Sequence, residues 1–186
     1  MSENNSRTFD LITLGQLLLR LSPPNNERLM RCDTFEKQVG GAELNVAVGV
    51  SLLGLHTGII SKLPSHDVGS FMKGKIRSYG VSDDFFIYDK SPSARVGIYY
   101  YENGAYPRKP KVIYDRANSS FYSLKIDEIP EEVYSATKCF HTSGITLALN
   151  PQVRETAIEM IKRFKAAGTL VSFDVNFRGN LWTGAE

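Results

Sequence analysis

Short apolar runs alternate with segments of helically spaced apolar residues along most of the chain. The run 9–14 stops at Gly15, which predicts a buried strand, and 68–79 carries apolar residues at helical spacing. A helix is predicted over 42–53, because Gly54 is typical of the residue after a helix C-terminus. The predicted strands are 9–14, 56–62, 85–88, 138–143 and 170–177. This alternation favours an α/β fold in which helices cover a parallel sheet.

The second half of the chain carries clear helix signals. Asn150 is a good N-cap, Pro151 fits the first helical position, and Gly168 fits the C-terminal end. The apolar positions between them predict one amphipathic helix. Its expected buried residues are Val153, Ala157, Ile161 and Phe164.

Two stretches, 17–39 and 94–116, interrupt the alternation of strands and helices. Extended pieces are predicted at 17–21, 34–39, 96–102 and 111–116, and five of the nine tyrosines lie in the second stretch. We expect these stretches to form a small β excursion that stands off the main sheet. The α/β core is then expected to consist of 1–16, 40–93 and 117–186.

The glycine pair Gly40-Gly41 opens directly into the predicted helix, and Asn45 lies one turn further on. A helix start has free backbone N–H groups and a positive dipole end. Glycine lets a small polar ligand approach that backbone, and Asn45 adds two donors and an acceptor. The block is therefore either a ligand site or an ordinary glycine-rich loop before a core helix.

The last predicted strand leads into polar residues. Ligands of α/β sheets bind beyond the carboxyl ends of the strands. Asp174, Asn176 and Arg178 share one side if the extended geometry persists. A carboxylate, an amide and a guanidinium would then suit a phosphate, carboxylate or polyhydroxyl ligand. The alternative is a simple salt bridge between Asp174 and Arg178.

Composition and charge argue against several classes of function. The net charge is +2 with no long basic run, so nucleic-acid binding is not expected. The N-terminus lacks an apolar signal core and no apolar run could span a bilayer, so a cytoplasmic protein without membrane contact is expected. Cys32 and Cys139 lack metal-ligand spacing, which fits a reducing compartment and predicts no metal site.

We assign no function to two further features of the sequence. Gly69, Gly74 and Lys75 match part of a phosphate-binding loop, but Ile76 stands where Ser or Thr would hold Mg²⁺. The run also lies inside a helical pattern, and no G-x-G-x-x-G follows the first strand. His141, in an apolar strand, is expected to be a satisfied core histidine.

Several of these segments resemble the N-terminal part of the ribokinase-like (PfkB) carbohydrate kinases. The matching pieces are Leu14-Gly15, Gly40 to Asn45, Gly54 to Leu63, Asp67 to Gly69, the tyrosine-rich stretch, Ser143 to Ile145 and Asp174 to Trp182. The resemblance implies a doubly wound, Rossmann-like α/β core with a β lid, here 17–39 and 94–116, that covers a sugar. It also implies ATP and Mg²⁺ as cofactors. Exposed lid strands need a cover, so a homo-oligomer through the lid is expected.

Within this family the chain is most similar to the 2-keto-3-deoxygluconate kinases, on segments 19–24, 98–99, 112–116 and 143–149. The resemblance implies a role in sugar binding for several residues. Those expected to contact or close over the sugar are Gly40, Gly41, Asn45, Tyr99 and Tyr114. Those expected at its charged or phosphorylated end are Arg116 and Arg178, with Asn176 near the phosphate.

Arg20 indicates which kind of sugar would bind. Ribokinase-like and fructokinase-like relatives carry Asp at this position if Gly15 aligns with their first glycine, and a carboxylate suits neutral hydroxyls. Arginine suits an acidic substrate or an ion pair within the lid, and Arg116 adds a second guanidinium. Both favour an acidic sugar, and fructose or another neutral sugar is the alternative. Gln16 departs from the Glu that is usual in relatives.

The Gly-Ala-Gly-Asp segment that carries the family's catalytic base is not present in this sequence. That aspartate takes the proton from the sugar hydroxyl, and the glycines form an anion hole. The resemblance implies that this base lies beyond Glu186, the last residue of the sequence. We therefore expect no catalytic residue among 1–186 and no phosphoryl transfer by this chain alone. A truncated product, a fragment, or a non-catalytic module that binds sugar or a partner would each explain the pattern.

Overall fold

The computed structural model describes residues 7–179 and 181–182. The strands are β1 (Phe9–Leu14), β2 (Leu18–Ser22), β3 (Glu36–Gly40), β4 (Thr57–Pro64), β5 (Val81–Ser82), β6 (Phe86–Asp89), β7 (Gly97–Glu102), β8 (Lys111–Asp115), β9 (Thr137–Ser143) and β10 (Leu170–Asp174). The helices are α1 (Ala42–Leu52), α2 (Asp67–Ser78), α3 (Val133–Ala136), α4 (Gly144–Leu147) and α5 (Pro151–Ala166).

Two expectations from the sequence concern residues outside this description. The predicted core begins at residue 1 and extends to Glu186, and both of these ends lie outside the described residues. Glu186 is also the residue beyond which the family resemblance places the catalytic base. The ends of the core and the position of the base therefore stay predictions.

A six-stranded sheet forms the centre of the molecule in the order β10-β9-β1-β4-β5, and β6 pairs with a different part of β4. The neighbours along this order pair in parallel, so their carboxyl ends meet at one edge. The α/β prediction is therefore confirmed. The short strand β5 has only two residues, too few for an apolar run, and the sequence did not predict it.

Helices cover both faces of this sheet. On one face, α5 packs Val153 and Phe164 against Phe140 of β9. On the other face, α1 and α2 pack Leu44 and Met72 in a second cluster. These side chains are at most 2 % exposed, and the two apolar clusters make the core doubly wound.

Local capping signals fix the ends of the helices as expected. The Asn150 side chain accepts a hydrogen bond from the Val153 N–H at 2.7 Å, with Pro151 in the first turn. Gly54 and Gly168 have φ of +85° and +73°, the left-handed conformation that ends α1 and α5. Of the expected buried residues on α5, Ile161 is only half-buried.

A second sheet of four strands, in the order β3-β2-β7-β8, is built from the two stretches that interrupt the alternation. β2 pairs with β3 in antiparallel and with β7 in parallel, and β8 pairs with β7 in antiparallel. One face of this sheet packs Leu19 and Ile98 into the cluster with α2. The opposite face is rich in tyrosine.

The last strand is shorter than predicted. β10 ends at Asp174, not at residue 177. The Asp174 carboxylate accepts a hydrogen bond from the Asn176 N–H at 2.9 Å, and Asn176 has φ of +37°. This local turn competes with the extended backbone, so residues 174, 176 and 178 do not share one side.

The described residues contain no helix long and apolar enough to cross a membrane. β10 lies at the end of the sheet order, and no strand among the described residues pairs with its outer edge. Large apolar side chains near that edge are 46–68 % exposed, and they are Leu170, Phe173, Val175 and Phe177.

We expect residues 1–186 in isolation to be partly molten or poorly soluble. Each large apolar side chain left in water forgoes about 1.5–3 kcal/mol of burial, against a net stability of about 5–15 kcal/mol for a domain. Binding of a hydrophobic dye, measured with a thermal melt at low concentration, checks this expectation. A sharp cooperative melt without dye binding contradicts it.

Candidate functional site

A cavity of about 470 Å³ lies between the carboxyl edge of the six-stranded sheet and the tyrosine-rich face of the four-stranded sheet. Residues that follow β1, β9 and β10 form its floor, and β2, β7 and β8 form its roof. Its lining is Gln16, Leu18, Arg20, Gly41, Ala42, Glu43, Asn45, Tyr99, Tyr101, Val112, Tyr114, Arg116, Ile145, Arg178 and Leu181. Its place agrees with the rule for ligands of parallel sheets.

Strand register brings the aromatic and basic residues of the roof together. Arg20 pairs with Tyr99 between β2 and β7, and Tyr99 pairs with Tyr114 between β7 and β8. The rings of Tyr99 and Tyr114 lie 5.9 Å apart. Burial raises the pKa of Tyr99, so its phenol is neutral at physiological pH. The roof therefore offers hydroxyl groups and ring faces to a ligand.

Arg20 is held without an ion pair in the part of the chain that the structure describes. Its Nε donates to Ser22 Oγ at 2.9 Å, and its guanidinium lies 4.3 Å from the centre of the Tyr101 ring. The ion pair within the lid that the sequence left open is therefore not formed among these residues. Arg20 adds positive charge to the cavity wall.

The glycine pair is needed for close packing at the start of α1. A methyl group added at Gly40 would lie 2.6 Å from the Tyr99 hydroxyl, and one at Gly41 would lie 2.9 Å from the Gln16 carbonyl oxygen. No described side chain caps the helix at Gly41. The first N–H groups of α1 are therefore available to a ligand, and Asn45 lines the cavity one turn along.

Gln16 and Arg116 are joined by two hydrogen bonds in the cavity. Gln16 Oε1 accepts from Arg116 Nε at 2.9 Å and also from Arg116 Nη2. Gln16 Nε2 donates to Ser119 Oγ at 2.7 Å. Arg116 lies 5.7 Å from the centre of the Tyr114 ring, and burial lowers its pKa from the usual arginine value. The guanidinium is therefore fixed in direction beside the cavity.

Glu43 is a buried carboxylate in the lining of the cavity and is 2 % exposed. It accepts hydrogen bonds from Ser143 Oγ at 2.5 Å and from Thr146 Oγ1 at 2.8 Å. A methyl group at Gly15 would overlap the Glu43 side chain. Glu43 thereby ties the start of α1 to the loop after β9.

The residues after β10 meet the cavity only in part. Arg178 lines it, is exposed, and donates to the Phe177 carbonyl oxygen at 3.1 Å. No ion pair joins Asp174 to Arg178 among the described residues, so the simple salt bridge considered from the sequence is not formed. Asn176 is not part of the lining, and its N–H donates to the Asp174 carboxylate in a local turn.

The structure thus brings together Gly41, Asn45, Tyr99, Tyr114, Arg116 and Arg178 around one cavity. Gly40 lines an adjoining depression of about 480 Å³ instead. Sequence reasoning missed Gln16 and Glu43 as parts of the site. The signal for Glu43 was its place inside the glycine block. The signal for Gln16 was that it stands where relatives usually have Glu.

The remaining motifs behave as expected. The run from Gly69 to Lys75 lies inside α2 and cannot wrap a phosphate. His141 is 7 % exposed, its Nδ1 lies 3.0 Å from Ser172 Oγ, and burial lowers its pKa. That run therefore does not form a phosphate-binding loop, and His141 is a core residue. Cys32 and Cys139 are free.

A larger cavity of about 750 Å³ lies along α5, with a lining that includes Lys125, Asp127 and Lys162. It is a more open depression, and none of the predicted site residues lines it. We therefore place the candidate site in the smaller cavity, where polar groups from several elements converge.

The cavity lies at the carboxyl edge of a doubly wound sheet and combines an uncapped helix start, three arginines and two facing tyrosines. This combination is typical of a protein that binds a small polyhydroxyl or anionic ligand. The chain matches the family model for the pfkB family carbohydrate kinases over residues 9–185. It therefore belongs to the pfkB carbohydrate kinase family.

Individual relatives agree with this assignment. The chain is 38% identical over 179 residues to the 2-dehydro-3-deoxygalactonokinase of Haloferax volcanii, covering 96% of this chain and 55% of that one. A crystal structure of 2-dehydro-3-deoxygluconokinase from Thermotoga maritima superposes with a TM-score of 0.89 at 36% identity, covering 94% and 53% of the two chains. A sugar kinase of Pyrococcus horikoshii in complex with ATP superposes with a TM-score of 0.80 at 28% identity, covering 92% and 55%. The chain spans about half the length of these relatives.

Proposed function

We propose that this chain is the sugar-binding part of a kinase that phosphorylates a 2-keto-3-deoxy sugar acid such as 2-keto-3-deoxygluconate. The observation that carries the proposal is the guanidinium of Arg116, which is fixed beside the cavity by a neutral amide. Arg20 and Arg178 line the same cavity. Three arginines suit a carboxylate better than the hydroxyls of a neutral sugar.

Each part of the cavity has a proposed role. Gly41 and the N–H groups at the start of α1 bind hydroxyl or phosphoryl oxygens, and Asn45 donates to the sugar. Tyr99 and Tyr114 close over the sugar from the four-stranded sheet, which serves as a lid. Arg116 holds the charged end of the sugar. The supporting observation is that most of the site residues expected from the sequence line one cavity. The exceptions are Gly40 and Asn176.

ATP is the proposed phosphoryl donor, with Mg²⁺ as the accompanying ion. Support comes from family membership and from the relative whose structure contains ATP. The proposed task of this chain is to bind and orient the sugar and to exclude water. The proposed catalytic base of the whole kinase lies beyond Glu186. We also propose a cytoplasmic location, which fits the two free thiols.

The lid is also the proposed surface of a homo-oligomer. β8 is an edge strand, and its Val112, Ile113 and Tyr114 are 41–54 % exposed. An exposed apolar edge strand in a soluble protein is usually covered. Sedimentation of the full-length protein as a clean monomer would count against this arrangement.

A coupled ATP-turnover assay of the full-length protein tests the proposed function. We expect phosphorylation of 2-keto-3-deoxygluconate or its galactonate epimer with a higher kcat/KM than for fructose. Turnover of fructose alone would identify a neutral-sugar kinase. Binding of sugar without any turnover would identify a non-catalytic module.

Arg178→Lys is expected to lower kcat/KM for the sugar acid, with a loss of about 1.5–3 kcal/mol in transition-state stabilisation. The reason is that lysine keeps the charge but loses the planar fork. The midpoint of thermal unfolding should not move, because Arg178 is exposed and makes no ion pair with Asp174 among the described residues. Steady-state kinetics and a thermal melt of the same preparation measure both. Unchanged kinetics would remove Arg178 from the site.

A further inference from the structure

Two uncharged neighbours hold the guanidinium of Arg20 in the roof of the cavity. Arg20 and Ser22 are two positions apart on β2, so their side chains leave the strand on the same face. Nε of Arg20 donates to Oγ of the buried Ser22 at 2.9 Å. The centre of the Tyr101 ring lies 4.3 Å from the guanidinium carbon of Arg20. The hydrogen bond and the ring together restrict the orientation of the guanidinium.

Strand register explains why Tyr101 meets Arg20. Arg20 is directly opposite Tyr99 in the pairing of β2 with β7, and Tyr101 is two positions further along β7. Tyr99 and Tyr101 therefore share one face of the strand, and both line the cavity. A diagonal neighbour of this kind is within reach of a side chain as long as arginine.

The terminal nitrogens of Arg20 are more available to a ligand than those of the other two arginines. In the part of the chain that the structure describes, Nε is the only nitrogen of the Arg20 guanidinium that makes a hydrogen bond. Arg116 already donates to Gln16 through Nε and Nη2. Arg178 donates to the Phe177 carbonyl oxygen through Nη1. Arg20 thus offers both terminal nitrogens, the arrangement that binds a carboxylate through two parallel hydrogen bonds.

We propose that Tyr101 and Ser22 are positioning residues that hold the Arg20 guanidinium so that its two terminal nitrogens bind the carboxylate of an acidic sugar. The inference rests on the proposed function, which gives Arg20 no contact of its own. A ring face and a hydroxyl group leave the positive charge of Arg20 unneutralised. They also restrict a long, flexible side chain before the ligand arrives, which reduces the entropy that is lost on binding.

Tyr101→Leu in the full-length protein tests the inference, with Tyr101→Phe as the conservative variant. We expect Tyr101→Leu to raise KM for 2-keto-3-deoxygluconate by about 5- to 20-fold, because the guanidinium loses its ring. We expect kcat for the acid to change by less than about threefold, because the variant alters binding rather than the reacting atoms. Tyr101→Phe keeps the ring face, so its KM should stay within about twofold of wild type.

Tyr100→Leu is the matched control, because it removes a ring from the adjacent position on the other face of β7. The Tyr100 ring contacts Phe35, with ring centres 5.9 Å apart, and Tyr100 does not line the cavity. Its KM for the acid should stay within about twofold of wild type. Equal rises in KM for Tyr100→Leu and Tyr101→Leu would indicate a general defect of the four-stranded sheet and would overturn the inference.

Ser22→Ala and Arg20→Met complete the series. Ser22→Ala leaves Nε of Arg20 without its acceptor, so we expect a rise of about two- to fivefold in KM for the acid. Arg20→Met removes the charge itself, so its KM should rise at least as far as that of Tyr101→Leu. An unchanged KM in Arg20→Met or in Tyr101→Leu overturns the inference. If Tyr101→Leu does not fold, an unchanged KM in Ser22→Ala overturns it.

The wild-type protein separates this inference from the proposed function. A wild type that phosphorylates fructose as well as the acid, or better, removes the proposed function and this inference together. A wild type that prefers the acid, with an unchanged KM in the variants, removes the inference alone.

Discussion

Arg116→Met in the full-length protein is expected to lower kcat/KM for a 2-keto-3-deoxy sugar acid by about 30- to 1000-fold, or about 2–4 kcal/mol. The loss has two causes. Under the proposed function the substrate carboxylate loses its charged partner, and Gln16 Oε1 loses the two donors that it accepts from in the wild type. Steady-state kinetics with the acid and with fructose measure the effect, which should be much smaller for fructose.

Arg95→Met is the matched control for this prediction. Arg95 pairs with Asp115 at 2.7 Å and donates to the Ala117 carbonyl oxygen at 2.8 Å, so it supports the same loop. It does not line the cavity. Partly exposed pairs of this kind contribute about 0–1 kcal/mol, so its kinetics should stay near wild type. Equal losses at Arg95 and Arg116 would indicate damage to the loop rather than a lost ligand contact.

Glu43→Ala is expected to lower the free energy of unfolding by about 2–4 kcal/mol, as measured by denaturant titration of the full-length protein. The alanine leaves the hydroxyls of Ser143 and Thr146 without their buried acceptor and opens space beside Gly15. Glu43→Gln keeps one acceptor oxygen, so its loss should be smaller, at about 1–2 kcal/mol.

The control for Glu43 is Glu155→Ala on α5, where the side chain is exposed. Surface substitutions of this kind usually change stability by less than about 0.5 kcal/mol. If Glu43→Ala is as mild as Glu155→Ala, then the carboxylate does not hold α1 against the loop after β9.

The glycine block and the helix ends were predictable because their signals are local. Asn150 caps α5 through a residue three positions away, and Gly54 ends α1 through its own backbone conformation. The same holds for strands such as β1 and β4, which were predicted from patterns of neighbouring residues, whereas β5 is too short to leave such a pattern. The position of the cavity could be predicted in part, because parallel strands place their carboxyl ends at the same edge of the sheet.

The positions of Gln16 and Glu43 were not predictable from local patterns. Gln16 meets Arg116 across 100 positions, and Glu43 meets Ser143 across the same separation. A glutamate in the first turn of a helix is usually exposed there, where it favours the helix dipole. In addition, α1 has too few polar residues for its pattern to indicate which face is buried.

At the end of β10 a local turn competes with the extended strand, and the alternation of apolar residues does not reveal this turn. The residues after Asp174 alternate as an extended strand would, yet the Asp174 side chain binds the backbone of Asn176. A side-chain hydrogen bond of this kind stabilises a turn in place of the sheet. The expected row of Asp174, Asn176 and Arg178 therefore breaks, and Arg178 alone reaches the cavity.

Titration calorimetry of the full-length protein, without nucleotide, tests the central claim that this cavity is built for an acidic sugar. Each of 2-keto-3-deoxygluconate and fructose is titrated at low and at high salt. We predict a dissociation constant about 10- to 100-fold lower for the acid, with a preference that shrinks as salt screens the charges. Fructose binding as tightly as the acid, or more tightly, at low salt would contradict the account.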